Sequence, residues 1–442
     1  MSDVTSESSA PSDVTSESSA PSGPVRTEVA GVVTDRSPQR PPAIGTVPAP
    51  PARTGLFDLA TDRLRRGDLG SMPVAVGLVL IAVVFSSLNG HFLAPENLTN
   101  LALQMAATGT IALGIVLVLL LGEIDLSAGS VSGLCAVVMT LLAVRHGLNP
   151  AVAVLGALLA GAVIGLVHGV MRTKLSMPSF VVTLAGLIGW EGLMLFLLGN
   201  EGTINLPFDR GIALLSDTWM PPAVGWAIVI LLAGGHLAAT LVTRRLRARA
   251  GLSVLGTGWV AVRSGGLAVL LAAAVLVLNS DRGVPLTLVI FGGLVVGLDL
   301  VLRRTVFGRR MYAVGGNAEA SRRAGINITQ VRIMAFMGSS MLAATGGILA
   351  ASRLAAVNQS SGGSDILLNA IAAAVIGGTS LFGGRGRTYS ALLGILVIQS
   401  ITNGMLLLNV NSSVRFMVTG VVLAVAVAID SLARRGAPDG AR

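Results

Sequence analysis

The side chains able to do chemistry in this chain fall in four places. The first is Glu123 and Asp125, with Ser127 close behind, after an uncharged apolar run from Leu101 to Leu121. Ionisable groups beside such a run are costly to keep out of water and usually carry function. The spacing also fits a structural role, because Asp125 or Ser127 can accept free amides at the start of a following helix. The second place is Ser179 and Thr183, four apart and so on one helix face. Their hydroxyls suit weak hydrogen bonding to a polar solute, or bonding between packed helices. Glu191 beside Trp190 reads as an interfacial anchor. The third place is Asn369, Thr379 and Ser380, around the run Gly377-Gly-Thr-Ser-Leu-Phe-Gly-Gly384. A glycine-rich break at membrane depth is tolerated where it lines a cavity or is buried in protein. Asn403 follows in the next apolar segment and suits either path or packing. His168 and His236 lack carboxylate or thiolate neighbours and read as packing residues.

The fourth place is the polar stretch 303–332. Asn317 is a good N-cap. Glu319 in a first turn, with Arg322 and Arg323 in a last turn, complements a helix dipole. Gly325 supplies a left-handed stop. A short capped helix over 318–324 is predicted, with Gly315 and Gly316 permitting a tight turn before it. A rigid helix of this kind can transmit force from a moving partner; a solvated loop with basic residues is the plainer reading.

What is missing narrows the chemistry. A phosphate-binding Gly-x-x-x-x-Gly-Lys-Ser/Thr loop needs a lysine, and the one lysine, Lys174, is followed by Leu175. Neither His-Glu-x-x-His nor Gly-x-Ser-x-Gly occurs. Cys135 is the single cysteine, so no internal disulfide forms, and a cysteine-based metal site has no support.

These residues must be positioned by membrane helices. Of 442 residues, 52% are hydrophobic and only 12% charged, about half the usual charged share of a soluble domain. Mean hydropathy is +0.77. This nearly excludes a soluble enzyme. The 55 glycines suit close helix packing in lipid. Net charge is +9, which is better explained by basic cytoplasmic loops than by nucleic acid. A crossing helix needs about 20 apolar residues. Twelve candidates lie near 72–89, 101–121, 127–144, 150–171, 178–199, 221–243, 265–280, 284–301, 333–352, 366–384, 388–408 and 412–429. Some of them, notably 127–144 and 366–384, could be re-entrant, which leaves ten to twelve full spans. Alternating them from a cytoplasmic N-terminus puts all but five of the 31 basic residues inside. The exceptions are Arg145, Arg210, Arg282, Arg353 and Arg415. Both termini are then cytoplasmic.

The expected organisation is a tail at 1–69, a membrane domain at 70–432 with the inner loop 303–332, and a C-terminal tail at 433–442. The first 55 residues carry nine of the 18 prolines and a tandem decapeptide repeat, Ser2–Pro11 and Ser12–Pro21. Such a segment cannot bury enough apolar surface to order itself.

Four ordered stretches now carry a resemblance. Gly315-Gly-Asn-Ala-Glu-Ala320, continuing through Gly325-Ile-Asn, resembles the cytoplasmic coupling region of permease subunits of bacterial ABC sugar importers of the ribose, xylose and arabinose class. Glu123-Ile-Asp-Leu-Ser-Ala-Gly-Ser130, Met177-Pro-Ser-Phe-Val-Val-Thr-Leu-Ala-Gly186 and Ala374-Val-Ile-Gly-Gly-Thr-Ser-Leu-Phe-Gly-Gly384 are similar to three further segments of that family. The likeness covers roughly 70–432. Extra apolar segments within 211–283, and Glu123 ahead of Ile-Asp, are most similar to the xylose-type permease. Ala128, where the family usually has Val, and the basic turn 384–387 depart mildly from its pattern.

The resemblance implies an all-α polytopic helical bundle in the plasma membrane, translocating a monosaccharide such as xylose. It implies an ABC ATPase subunit carrying ATP and Mg, an extracytoplasmic sugar-binding protein and a second permease copy. No cofactor is expected in this chain. Gly315, Gly316, Asn317, Glu319, Ala320, Arg322, Arg323, Gly325 and Ile326 would face the ATPase. Glu123, Asp125, Ser127, Ser179, Thr183, Asn369, Thr379, Ser380 and Asn403 are candidates for the translocation path. The rival expectation is a secondary transporter driven by an ion gradient, whose signature would be paired charges at mid-span.

Overall fold

The computed structural model describes residues 72–208, 211–252, 254 and 256–435; the expected tail at 1–69 and the chain past Arg435 lie outside them. Helix follows helix. Helix α1 is Met72–Leu88, α2 Pro95–Leu120, α3 Ala128–Thr140 (continued by a π turn, Leu141–Arg145), α4 Pro150–Lys174 and α5 Ser179–Leu198. After a short strand β1, Thr203–Asn205, come α6 Leu214–Asp217, β2 Trp219–Met220, α7 Pro222–Arg249, α8 Thr257–Asn279 and β3 Val284–Pro285. Then follow α9 Leu286–Arg304, α10 Val306–Gly316, α11 Ala318–Arg323, α12 Ile328–Leu354, β4 Ala356–Asn358, α13 Ser364–Ile376, α14 Thr388–Leu407 and α15 Ser412–Arg435.

Among the described residues, nine of these helices are long and apolar enough to cross a membrane, and three shorter apolar helices lie in α1, α13 and α15. Together they coincide with the twelve expected segments, because a long apolar run leaves the backbone no partner except itself. Starts are marked by local chemistry. Pro95 and Pro150 open α2 and α4, where a missing amide costs nothing, and Asn149 accepts from Ala151 N at 2.9 Å.

Three boundaries differ from expectation. Within the stretch 303–332 the expected short helix is present as α11, a further helix α10 precedes it, and α12 already begins at Ile328. Segment 366–384 is helical only to Ile376, where the Gly377-Gly378 pair ends it and Gly378 takes φ +98°. Segment 265–280 starts earlier, at Thr257, because a helix at a membrane edge can carry Arg263 without breaking.

The core centres on α2, which is nearly enclosed. Helix α12 packs between α2 and α4 through small residues. On α4, a Cβ added at Gly161, Gly165 or Gly169 would lie 2.8, 2.5 or 2.7 Å from backbone atoms of Ser340, Met337 and Ile333 on α12. These glycines recur every four residues and so form one stripe along α4. The two helices touch backbone to backbone, and no larger side chain fits there.

Two small antiparallel pairs, β1 with β4 and β2 with β3, tie loops at one end of the bundle. The Arg145–Glu201 ion pair (2.9 Å) and Asn89 Nδ2 donating to Leu407 O (3.2 Å) lie at that same end. The opposite end gathers the α2–α3 break, the end of α4, α10, α11 and the turn after α13.

Candidate functional site: a buried break beneath an exposed capped helix

Between α2 and α3 the chain reverses over residues 121–127 without helix, yet Leu121, Glu123, Asp125 and Ser127 within it are buried. Buried backbone must find partners, and here it does. Leu121, Gly122 and Glu123 amides donate back to Val118 and Leu119 carbonyls at 2.9–3.2 Å. Ile124 N donates to Ser179 Oγ (3.3 Å), and Thr183 Oγ1 donates to Ile124 O (3.2 Å). The N-terminal end of α5 therefore clamps the break by both backbone groups of one residue. Asp125 accepts from Ser127 N (2.9 Å) and Ser127 Oγ (2.6 Å), and also from Ser339 Oγ of α12 (3.3 Å). It shapes the entry to α3, as the capping expectation has it; Ser127 is the N-cap residue, but its own side chain caps no amide.

Glu123 is the site's main charge. Its side chain is 4% exposed, and it meets two arginines from two helices: Arg172 Nε of α4 at 2.8 Å and Arg332 Nε of α12 at 2.9 Å. The Arg172 contact is an aligned hydrogen bond. The Arg332 contact is an ion pair by distance without hydrogen-bond alignment, since neither Glu123 Oε1 nor Arg332 Nε has a bonded partner. A lone buried carboxylate would be prohibitive; two guanidiniums make it tenable and leave the cluster one positive charge in excess. Both arginines line an open polar cleft of about 440 Å³ with Thr173, Arg322, Asn327 and Thr329. Water can reach them from the side of α11.

Above this cluster lie α10 and α11. Asn317 caps α11, accepting from Ala320 N at 2.9 Å, and Gly325 takes φ +79° as the expected stop. Asn317, Glu319, Ala320, Arg322, Arg323 and Gly325 are all exposed, with Ile326 half-buried. Glu319 pairs loosely with Arg322 (3.4 Å) and Arg323 (3.5 Å) on its own helix. Gly315 does not make the expected turn. It lies in the last turn of α10, and a Cβ there would lie 1.8 Å from Leu120 O and 2.8 Å from Gly384 N. Gly384 N donates to Leu120 O at 2.9 Å. Three backbone segments thus meet where only glycine fits. Tyr312 of α10 adds a hydrogen bond to Gly386 O (2.9 Å); burial holds its phenol above the usual value, so it stays a neutral donor. The exposed helix pair is thereby fastened directly to the buried break and to the turn after α13.

The remaining candidates separate. Ser380 lies in that turn, its Oγ accepting from Phe382 N (3.1 Å); Thr379 is buried there with no partner for its hydroxyl. Asn369 lies on α13 nearer the far end of the bundle. Asn403 is 4% exposed and exchanges two hydrogen bonds with Asn97 of α2 (2.8 and 3.0 Å), which locks α14 to α2. Trp190 Nε1 donates to His168 Nε2 (2.9 Å), while Glu191 is exposed. Among the described residues, no group of three His, Cys, Asp or Glu side chains could hold a metal.

Sequence reasoning missed Arg172 and Arg332 as partners of Glu123. A signal existed: a carboxylate at a span end demands a cation at equal depth, and both arginines stand at ends of spans on that side.

The chain matches the family described as "Branched-chain amino acid transport system / permease component" over residues 97–427. It is 33% identical to the xylose transport system permease protein XylH of Escherichia coli K12, covering 83% of this chain and 94% of that one. Against XylH of Haemophilus influenzae identity is 31%, over 82% and 96% of the two chains. The ribose import permease protein RbsC of Bacillus subtilis is 32% identical, over 80% and 91%. No solved structure matches the chain. A bundle of apolar helices, matched from α2 into α15 and collinear with these proteins over most of their length, makes the chain a multi-pass membrane protein belonging to that family of transport permeases.

Proposed function

We propose that the chain is the membrane-embedded subunit of an ATP-driven importer whose cargo is a monosaccharide, a pentose such as xylose. Both termini lie in the cytoplasm. A second permease copy, an ATPase subunit carrying ATP and Mg, and an extracytoplasmic sugar-binding protein complete it. The observation that carries this reading is the pairing of the exposed capped helix α11 with the buried break below it, in a chain similar to xylose and ribose permeases along most of their length. The ATPase docks on Gly315–Ile326. Its movement is passed through α10 at Gly315 to the break at 120–127, held by Glu123, and to the turn 377–387. A conformational change of this kind follows from partners binding two states with different affinity.

The test is uptake of labelled D-xylose by the assembled importer in vesicles, with L-leucine as competitor. ATP-dependent xylose uptake that an uncoupler leaves intact is the expected result. Uptake that follows the ion gradient, or leucine as the cargo, would overturn it.

Two predictions belong here. The purified chain alone is expected to release no phosphate from ATP above a no-protein blank, since it carries no phosphate-binding loop. Glu319→Lys is expected to uncouple: it puts a third cation beside Arg322 and Arg323 on an exposed face, where like charges repel. Sugar uptake should fall while membrane insertion and solubilised yield stay at wild-type level. Unchanged uptake would argue against docking at α11.

A further inference from the structure

At the end of the bundle away from α11, the first half of α13, the end of α14 and the start of α15 enclose a cleft of about 200 Å³. We infer that this cleft is a saccharide subsite, in which Asp365, Asn369 and Arg415 grip the hydroxyls of a neutral sugar beside the Phe416 ring. The inference rests on the transport reading above and adds to it where on this chain the cargo is held.

Size comes first. The cleft is smaller than the roughly 300–1,000 Å³ of sites for drug-sized ligands, which limits the occupant to a small molecule. Chemistry comes second. Two of its buried polar atoms have no partner: the Asn369 carbonyl oxygen, an acceptor, and Arg415 Nε, a donor. A donor and an acceptor left open side by side call for a group that is both, and a hydroxyl is that group. Asp365 in the first turn of α13 adds a carboxylate acceptor, and no ion pair joins it to Arg415 among the described residues. The hydroxyls of Thr402 and Thr419 line the same space; that of Thr402 donates to Ile398 O (3.0 Å), which leaves its lone pairs to accept.

Charge and geometry then weigh against other small solutes. An anion would face the Asp365 carboxylate and a cation the Arg415 guanidinium. An amino-acid zwitterion would need a free bidentate edge on the arginine. Arg415 Nη2 donates one of its two N–H groups to Ser412 Oγ at 2.7 Å, which takes one bidentate edge of the guanidinium, so a carboxylate has only the other edge left, and the leucine arm of the test below decides that case. A neutral polyol needs no such edge. Phe416, at the rim and largely exposed, offers the apolar face that the C–H side of a sugar ring can cover. Few contacts and an open rim suit a station that must release its cargo.

The test uses the full chain in lipid nanodiscs with Thr419→Cys. The native Cys135 is fully buried and will not compete for a maleimide. D-xylose is expected to slow labelling of the introduced thiol by the factor 1 + [L]/Kd, about three-fold at twice the dissociation constant. L-leucine and gluconate should not. Adding Asn369→Leu or Arg415→Met should abolish the protection. Should the introduced thiol resist the reagent, Thr402→Cys on the facing helix reports the same cleft. Protection by leucine, lack of protection by xylose up to molar concentration, or protection that survives both second substitutions would overturn the subsite. Xylose uptake by the assembled wild-type importer, measured in parallel, separates the two claims. Uptake without protection sinks the subsite alone; ATP-driven leucine uptake in place of xylose uptake sinks the transport reading.

Discussion

Glu123→Gln is expected to destabilise the solubilised chain by about 3 kcal/mol. Removing one partner of a buried ion pair leaves the other charge uncompensated, at a cost of roughly 3–5 kcal/mol. Here two guanidiniums would be left facing a neutral amide. The lower end of that range applies because the Arg172 and Arg332 side chains are 22% and 19% exposed and keep some water through the adjoining cleft. The isosteric amide retains the volume, so the loss is electrostatic and not a cavity effect. Denaturant or thermal unfolding of wild type and variant checks the stability term. Transport should fall further than stability alone explains, because Glu123 is the point at which α4 and α12 are tied to the α2–α3 break. The triple change Glu123→Met, Arg172→Met and Arg332→Met should restore much of the stability, since apolar replacement of a complete buried ionic cluster is often neutral or favourable. It should not restore transport. A Glu123→Gln variant with wild-type stability and uptake would show that the cluster does nothing.

Gly315→Val is expected to abolish coupled uptake, while Gly297→Val on α9, outside the docking surface, is nearly silent. The first needs a Cβ 1.8 Å from the Leu120 carbonyl oxygen, and backbone on both sides cannot step aside as a flexible side chain would. Overpacking of this kind costs about 1–3 kcal/mol, occasionally more. It also forces apart Leu120 and Gly384, whose backbone hydrogen bond closes the joint. The second position has open space around the added Cβ. ATP hydrolysis by the assembled importer, measured beside uptake, distinguishes a broken joint from a lost subunit. Gly315→Val should leave hydrolysis running with no sugar moved. Equal behaviour of the two variants would refute the backbone joint.

Much of the architecture was legible in advance, and the reason is locality. Each apolar run is its own evidence for a helix, because in lipid a segment must satisfy its amides and carbonyls internally. The α11 signals, Asn317, Glu319, Arg322, Arg323 and Gly325, act within a turn or two of where they stand. The four motif stretches are likewise contiguous. Boundaries were less legible. The polar composition of 303–332 suggested a loop, but Thr305, which accepts from Gly308 N at 3.2 Å, caps a helix that polarity alone does not betray.

The members of the candidate site were named only in part, since Arg172 and Arg332 were missed, and their bonds were not legible at all. Ser179 and Thr183 share a helix face, as their spacing requires, yet only the fold puts the Ile124 backbone against that face. Asn403 was recognisable as buried and polar; its partner Asn97 lies 306 positions away.

Residue type and spacing by themselves determined a multi-pass helical membrane protein with a capped exposed helix, because hydrophobicity and capping are properties of neighbouring residues. Tertiary structure alone decided that Glu123 is shared by Arg172 and Arg332, that Gly315 is a backbone joint and not a turn, and that Asn369 and Arg415 open onto one cleft. Each of these depends on which distant helices touch, and helix contact in this chain is set by small-residue packing along whole faces, which no single stretch of sequence records.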